Sequence, residues 1–386
     1  MNDFEFFNPT RIVFGEGKIA KIKDLIPQDA MVLLCYGGGS IKRNGVYQQV
    51  IAALDGWELI EFGGIEPNPD YDTLMQAILL GREHAVDFIL AVGGGSVIDG
   101  AKLIAAGIPY RDGDVWDIVT MDKKVKLGEA LPLGTVLTLP ATGTEMNGNS
   151  VISRRATEEK LAWASEAAFP VFSILDPTIT YTLPAKQVRN GIVDAYVHVM
   201  EQYVTYPVDA KIQDRQAEGI LLTLQEIGET ALENPTDYDT RGNFMWAATN
   251  ALNKLICQGV PEDWATHSIG HEITAFYGLD HAETLAVVMP HLLWHQRDKK
   301  AEKLVQYAQR AWGLSGDGEP VIREALDRLI AFFNQLGMPT KLTDYEIDPD
   351  EAAEKVRERF EARGTLLGEH EDITPDAVME ILQMSR

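Results

Sequence analysis

Short apolar runs separated by amphipathic stretches fill the first 180 residues, and helical periodicity fills the rest. Met31–Tyr36 (MVLLCY), residues 57–62 (WELIEF), residues 87–92 (DFILAV), Leu133–Leu139 and Phe172–Leu175 are candidates of strand length, rich in apolar residues. Between them, residues 71–84 carry Leu74, Ile78 and Leu79 at helical spacing, and residues 97–106 form a second helical pattern. Strands that alternate with helices predict a parallel sheet covered on both faces. From about Pro184 onward the strand signals fade and long helical patterns take over. The expected fold is therefore α/β plus all-α, with an N-terminal parallel-sheet domain over 1–180 and a helical domain over 181–386. The charged run 350–363 reads as a solvated helix face.

Two of the apolar runs end in the same tetrad, Gly37-Gly38-Gly39-Ser40 and Gly93-Gly94-Gly95-Ser96. Ligands of open parallel sheets gather beyond the carboxyl ends of the strands, where both tetrads fall. Residues 93–102 read GGGSVIDGAK: glycines at a strand end, followed by a helix N-terminus, suit an anion such as a pyrophosphate. The run is neither a G-x-G-x-x-G fingerprint, since position 98 is Ile, nor a Walker A loop. A plain tight βα turn is the alternative, against which Asp99 and Lys102 weigh. After the first tetrad no acidic side chain waits for a ribose 2′-hydroxyl; Ser40, Lys42 and Arg43 instead suit a 2′-phosphate, unless the two cations are simply solvated. Residues 137–149, LTLPATGTEMNGN, form a hydroxyl-rich turn in which Thr138, Thr142 and Asn147 suit a cofactor's ribose or carboxamide, with turn and cap chemistry as the alternative.

The second half is organised around residues 264–283, WATHSIGHEITAFYGLDHAE. His267 and His271 are four apart and share a helix face, opposite the apolar stripe Ile269, Ile273 and Phe276. Asp263 suits a cap, Gly270 leaves room for a close approach to the histidine face, and Gly278 and Asp280 turn the chain so that His281 can return to it. Upstream, Asp194 and His198 repeat the four-residue step. Neutral imidazoles with one carboxylate suit a borderline divalent ion such as Zn2+ or Fe2+. A single His pair is more often structural; two such pairs and a third histidine favour a metal.

Composition narrows the remaining classes. The 386-residue chain is too long for one core, and its net charge is 34 − 58 = −24, which argues against a nucleic-acid partner. Two cysteines make no disulfide framework and fit a reducing cytoplasm. Neither a signal peptide nor a bilayer-spanning run is evident.

In order along the chain, GGGSVIDGAK, the ATGTE turn, the ILDP segment and DAYVH followed by THSIGHEITAFYGLDH resemble the iron-containing (group III) alcohol dehydrogenase family. The YGGGS segment, the PNP loop and VDAKIQDR (208–215) look most like its NADPH-dependent butanol dehydrogenase/aldehyde reductase branch. The resemblance implies a dinucleotide-binding domain and a helical metal domain with the active site in the cleft between. It implies that Asp194, His198, His267 and His281 ligate the metal, that His271 stands beside the nicotinamide, and that Gly94, Gly95 and Ser96 hold the pyrophosphate. The expected cofactor-contacting set also includes Gly38, Gly39, Ser40, Asp99, Thr138, Thr142, Asn147 and Lys160. Ala282 departs from the family's usual glycine after the last ligand histidine, which bears on the placement of His281.

The expected function is hydride transfer between NADP(H) and short to medium aliphatic alcohols or aldehydes, with one Fe2+ or Zn2+ polarising the substrate oxygen. A homodimer in the cytoplasm, with no nucleic-acid or membrane partner, is expected. A dehydroquinate synthase-like lyase on a related fold is the alternative; the absence of Lys and Arg from residues 260–281 weighs against it. A catalytically silent metal- or nucleotide-binding protein is a third reading, against which the complete ligand set stands.

Overall fold

The computed structural model describes residues 1–120 and 127–386. The chain divides into two compact units, one of residues 7–184 and 234–249, the other of residues 1–6, 185–233 and 250–386.

The first unit is an α/β layer structure. Its strands are β1 (Arg11–Phe14), β2 (Met31–Tyr36), β3 (Glu58–Gly63), β4 (Phe88–Gly94), β5 (Leu133–Leu139), β6 (Asn149–Arg154), β7 (Glu159–Ala164) and β8 (Phe172–Leu175). Its helices begin with α1 (Ser40–Arg43), α2 (Val46–Ala53), α3 (Tyr71–Glu83), α4 (Gly95–Gly107) and α5 (Trp116–Thr120). Six strands pair in the order β1-β8-β5-β4-β2-β3, all parallel, while β6 and β7 form a separate antiparallel ribbon. Side chains alternate across the sheet: Leu33, Cys35, Ile89 and Ala91 enter one core with Leu74, Ile78 and Ile104, and Val32, Leu34, Leu90 and Val92 enter the other with Ile19, Val46 and Val50. Both faces of the inner strands are thus buried, which is why β2 and β4 read as nearly unbroken apolar runs.

The second unit is helical: α6 (Ala185–Tyr203) and α7 (Lys211–Glu233) come first. The chain then forms α8 (Tyr238–Ala251), which belongs through Thr249 to the sheet unit. Met245 enters the sheet unit's core, Trp246 meets Phe14 edge-on at 6.4 Å, and Thr249 Oγ1 donates to buried Glu145 Oε1 at 2.5 Å. The helical unit resumes with α9 (Ala265–Tyr277), α10 (His281–His295), α11 (Ala301–Ala311), α12 (Gly318–Gln335), α13 (Pro349–Arg363) and α14 (Pro375–Gln383). Contrary to the solvated reading of residues 350–363, α13 is in part a clamp: Arg359 and Arg363 pair with buried Glu272 of α9, and Lys355 and Arg359 lie over the Phe276 ring. No helix among the described residues is long and apolar enough to cross a membrane.

Candidate metal centre and cofactor turns

Three local features bring the four expected ligands together. Asp194 and His198 lie one turn apart on α6, and both are buried. Gly278, in the left-handed conformation at φ 73°, ends α9, and Asp280 opens α10 with a capping box completed by Glu283. Lys186 of α6 reaches both acids, at 2.8 Å from Asp280 and 3.0 Å from Glu283, and so ties the start of α10 to α6. His281, first residue of α10, is thereby delivered back to the α6 face.

Asp194 Oδ1 is the hub: His198 Nε2 lies 3.7 Å from it, His267 Nε2 3.9 Å and His281 Nε2 3.7 Å. The candidate ligand atoms of Asp194, His267 and His281 are all within 4.8 Å of one another. Ligand atoms held about 2.1 Å from a tetrahedral ion stand about 3.4 Å apart, a few tenths below the three distances to Asp194 Oδ1. His198 and His267 stack at 4.7 Å between ring centroids, and the Trp264 ring meets both edge-on. Burial, then the neighbouring His267, holds His198 well below the usual imidazole range, so it stays a neutral donor. Ala282 is buried and leaves His281 in place beside Asp194.

His271 belongs to the same face without joining the hub. Its ring is 5.2 Å from that of His281 and 6.2 Å from that of His267. Gly270 opens no space for a ligand: a Cβ there would meet Thr284 Oγ1 of α10 at 2.7 Å, so helix packing requires that glycine.

One residue of this site was not foreseen from the sequence. Glu201, buried on α6, accepts from the backbone N–H of Thr266 at 2.7 Å and of His267 at 3.2 Å through Oε1, and bonds His267 Nδ1 through Oε2. The signal was present: 194, 198 and 201 follow the i, i+4, i+7 spacing of one helix face. Nearby, Lys300 bridges Asp263 at 2.8 Å and Glu369 at 2.6 Å, all three buried, and Asp263 accepts from Ala265 N at 2.8 Å at the entry to α9. Asp263 thus serves the helix start as expected, assisted by Glu201.

The sheet unit carries the expected cofactor residues at and after the ends of β2, β4 and β5, with Lys160 on β7. The two tetrads differ in kind. A Cβ on Gly38 or Gly39 would meet nothing within 4 Å, whereas on Gly94 or Gly95 it would meet Leu139 Cβ at 2.9 Å or Thr142 Oγ1 at 2.6 Å. The first is an open turn; the second is glycine because the Leu139 and Thr142 side chains lie against it. Ser96 Oγ accepts from Asn68 N at 3.2 Å and so secures the PNP loop.

Asp99 and Asn147 also brace the turn from within. Asp99 accepts from Thr144 Oγ1 at 2.6 Å and Val151 N at 3.0 Å; Asn147 donates to Gly143 O at 3.0 Å and accepts from Asn149 N at 2.9 Å. Lys102, wholly buried, donates to oxygens of Thr144, Asn147 and Asn149 at 2.6–3.1 Å. Burial brings Lys102 down to about 7, with Asp99 and Glu145 pulling the other way. Thr138 and Lys160 are buried nearby, and Lys160 acts on Asp99 electrostatically. Thr142 remains half-buried at the tip of the turn.

At the first tetrad the structure adds an acid that short-range reading overlooked. Glu61 of β3 lies 3.4 Å from Lys42 Nζ and accepts from Tyr36 Oη at 2.9 Å and Tyr47 Oη at 2.5 Å. Burial works against the Glu61 anion, but the two tyrosines and Lys42 outweigh it and hold the carboxyl below its usual range.

Known proteins match both units. A family model described as iron-containing alcohol dehydrogenase matches residues 9–177, and one described as Fe-containing alcohol dehydrogenase family, C-terminal, matches residues 189–385. The NADPH-dependent aldehyde reductase YqhD of Escherichia coli is 54% identical over 100% of both chains. The probable NADH-dependent butanol dehydrogenase 1 of Bacillus subtilis is 41% identical, again over 100% of each. Among solved structures, that of the Escherichia coli protein superposes with a TM-score of 0.98 at 53% identity, covering 100% of this chain and 99% of the other. The NADH-dependent butanol dehydrogenase A of Thermotoga maritima gives 0.94 at 38% identity over 100% and 99%.

Proposed function

The chain belongs to the iron-containing alcohol dehydrogenase family, and from that premise we propose that it reduces short to medium aliphatic aldehydes with NADPH, and oxidises the corresponding alcohols, at a centre holding one divalent ion. Family membership sets aside the lyase reading. The observation that carries the proposal is the convergence of three imidazole Nε2 atoms on Asp194 Oδ1. Three imidazole nitrogens and one carboxylate are a donor set suited to Fe2+ or Zn2+, and buried His267 Nε2 has no hydrogen-bond partner among the described residues.

Once bound, the ion supplies Lewis-acid polarisation of the substrate oxygen, and the nicotinamide supplies the hydride. The chain's own residues do the rest. Asp194, His198, His267 and His281 hold the ion; His271, one turn beyond His267, relays a proton between the alcohol oxygen and solvent. Gly94, Gly95 and Ser96 at the start of α4 receive the pyrophosphate, with Thr138, Thr142 and Lys160 around it. Gly38, Gly39, Ser40 and Lys42 receive the 2′-phosphate. A homodimer belongs to the same reading, supported by Phe14 and Trp246, exposed beside the edge strand β1. So does a cytoplasmic location, supported by two free, buried cysteines.

The test is elemental analysis of the purified chain together with NADPH oxidation over aldehydes from acetaldehyde to octanal. One ion per chain and turnover of several aldehydes are expected. A chain that takes up no divalent ion, or turns over none of the aldehydes, overturns the proposal.

A further inference from the structure

Trp264 occupies the capping position of α9 and offers no side-chain cap, and Asp263 before it takes only the Ala265 amide. Two of the amides that a helix start leaves unpaired, those of Thr266 and His267, are instead taken by Glu201 from α6. The same carboxylate bonds the His267 ring at Nδ1. Glu201 thus faces two backbone N–H groups and one ring nitrogen, and an ionised carboxylate can only accept. That arrangement keeps the proton of His267 on Nδ1 and leaves the lone pair of Nε2 aimed at the hub, 3.9 Å from Asp194 Oδ1.

We propose that Glu201 is the positioning residue of the metal centre, fixing the tautomer of His267 and, through the same two oxygens, the helix start that presents it. This rests on the reading of Asp194, His198, His267 and His281 as ligands. Glutamine fits the same volume but cannot do both tasks. If its NH2 faces His267, the ring must carry its proton on Nε2 and loses its donor; if its NH2 faces the amides, the first turn of α9 loses its acceptor. Metal affinity and the integrity of that turn are tied together by one side chain, as outer-shell carboxylates behind ligand histidines generally tune affinity.

The experiment has two parts. In the metal-free wild-type chain with 15N-labelled histidine, NMR should show His267 protonated on Nδ1; protonation on Nε2 overturns the proposal without any variant. Competition for Zn2+ against a chromophoric chelator then compares wild type, Glu201→Gln and His267→Ala, with NADPH binding as the control for folding. Glu201→Gln should bind Zn2+ about 10- to 100-fold more weakly, with NADPH binding retained. Unchanged Zn2+ affinity in Glu201→Gln overturns the proposal. Unchanged affinity in His267→Ala, or no uptake by the wild type, overturns the ligand reading and this inference with it.

Discussion

Gly270 of α9 and Thr284 of α10 meet with no room for a side chain between them, the closest atom standing 2.7 Å from where a Cβ would sit. Leu285 lies next, at 3.3 Å. This contact sets the separation of the two helices that carry His267 and His281.

Gly270→Ala should therefore act on the metal through packing. The added methyl overpacks the helix pair, at a cost of about 1–3 kcal/mol, and moves His267 away from His281. Urea unfolding and elemental analysis should show lower stability and a smaller share of metal-loaded chains. Parental values for both would mean that the spacing of α9 and α10 does not govern the centre.

His271→Ala should separate catalysis from metal binding. His271 shares a face with His267 but stands apart from the Asp194 hub, so metal content should stay near that of the parent. Turnover should fall by about 10²-fold, the usual range for a lost proton-transfer group, with a flattened pH profile near neutrality. Metal loss equal to that of His267→Ala would make His271 a ligand; unchanged kinetics at every pH would leave it without a role.

Cofactor preference should turn on Ser40 and Lys42. Gly39 has φ 85°, so an acid placed there would also strain the backbone. Ser40 opens α1 and accepts an aspartate without that strain. Ser40→Asp should raise the KM for NADPH at least about tenfold, equivalent to about 1.4 kcal/mol, and leave that for NADH nearly unchanged. Lys42→Ala should weaken NADPH alone and leave Glu61 to Tyr36 and Tyr47. Equal effects on the two nucleotides would place the 2′-phosphate elsewhere.

Lys300→Met tests the support behind α9. Burial opposes the Asp263 anion, yet Lys300 holds its carboxyl below the usual range, while burial pushes Glu369 up. Without the cation, two buried carboxyls share one site, at a cost of about 3–5 kcal/mol at neutral pH. Both would then bind protons more tightly folded than unfolded, so folding is favoured below the unfolded carboxyl range and that advantage is lost as pH rises. Denaturant titrations should show the variant recovering part of its deficit between pH 7.5 and about 5.5. An equal deficit at both values would sink the idea.

Legibility in the sequence followed burial. β2 and β5 were readable because strands buried on both faces are apolar throughout. β1 escaped because it is a four-residue edge strand whose ends, Arg11 and Phe14, are exposed. β6 and β7 were hidden inside what read as polar turn and its surroundings, since Asn149, Arg154 and Glu159 carry no apolar signal. The metal-site histidines stood out by spacing, and Gly278 and Asp280 announced the turn that returns His281. Glu201 did not, because a lone glutamate on a helix is ordinarily solvated, and only the tertiary approach of α9 gives it two backbone donors and the His267 ring. Glu61 was missed for the same reason: its partner Lys42 lies on a different element. Periodicity marked the second half as helical but carries no information about which core a helix such as α8 joins.

That helix has a consequence for how the protein is made. The chain passes between its two units after residues 6, 184, 233 and 249. During synthesis, the sheet is fully translated long before Met245 and Thr249 exist, and until then the buried Glu145 carboxyl has no hydroxyl to receive. The N-terminal unit is therefore finished late, by a segment that follows α6 and α7 in the chain. Neither unit corresponds to a continuous stretch of gene, and a fragment cut at residue 180 ends before its own last core helix.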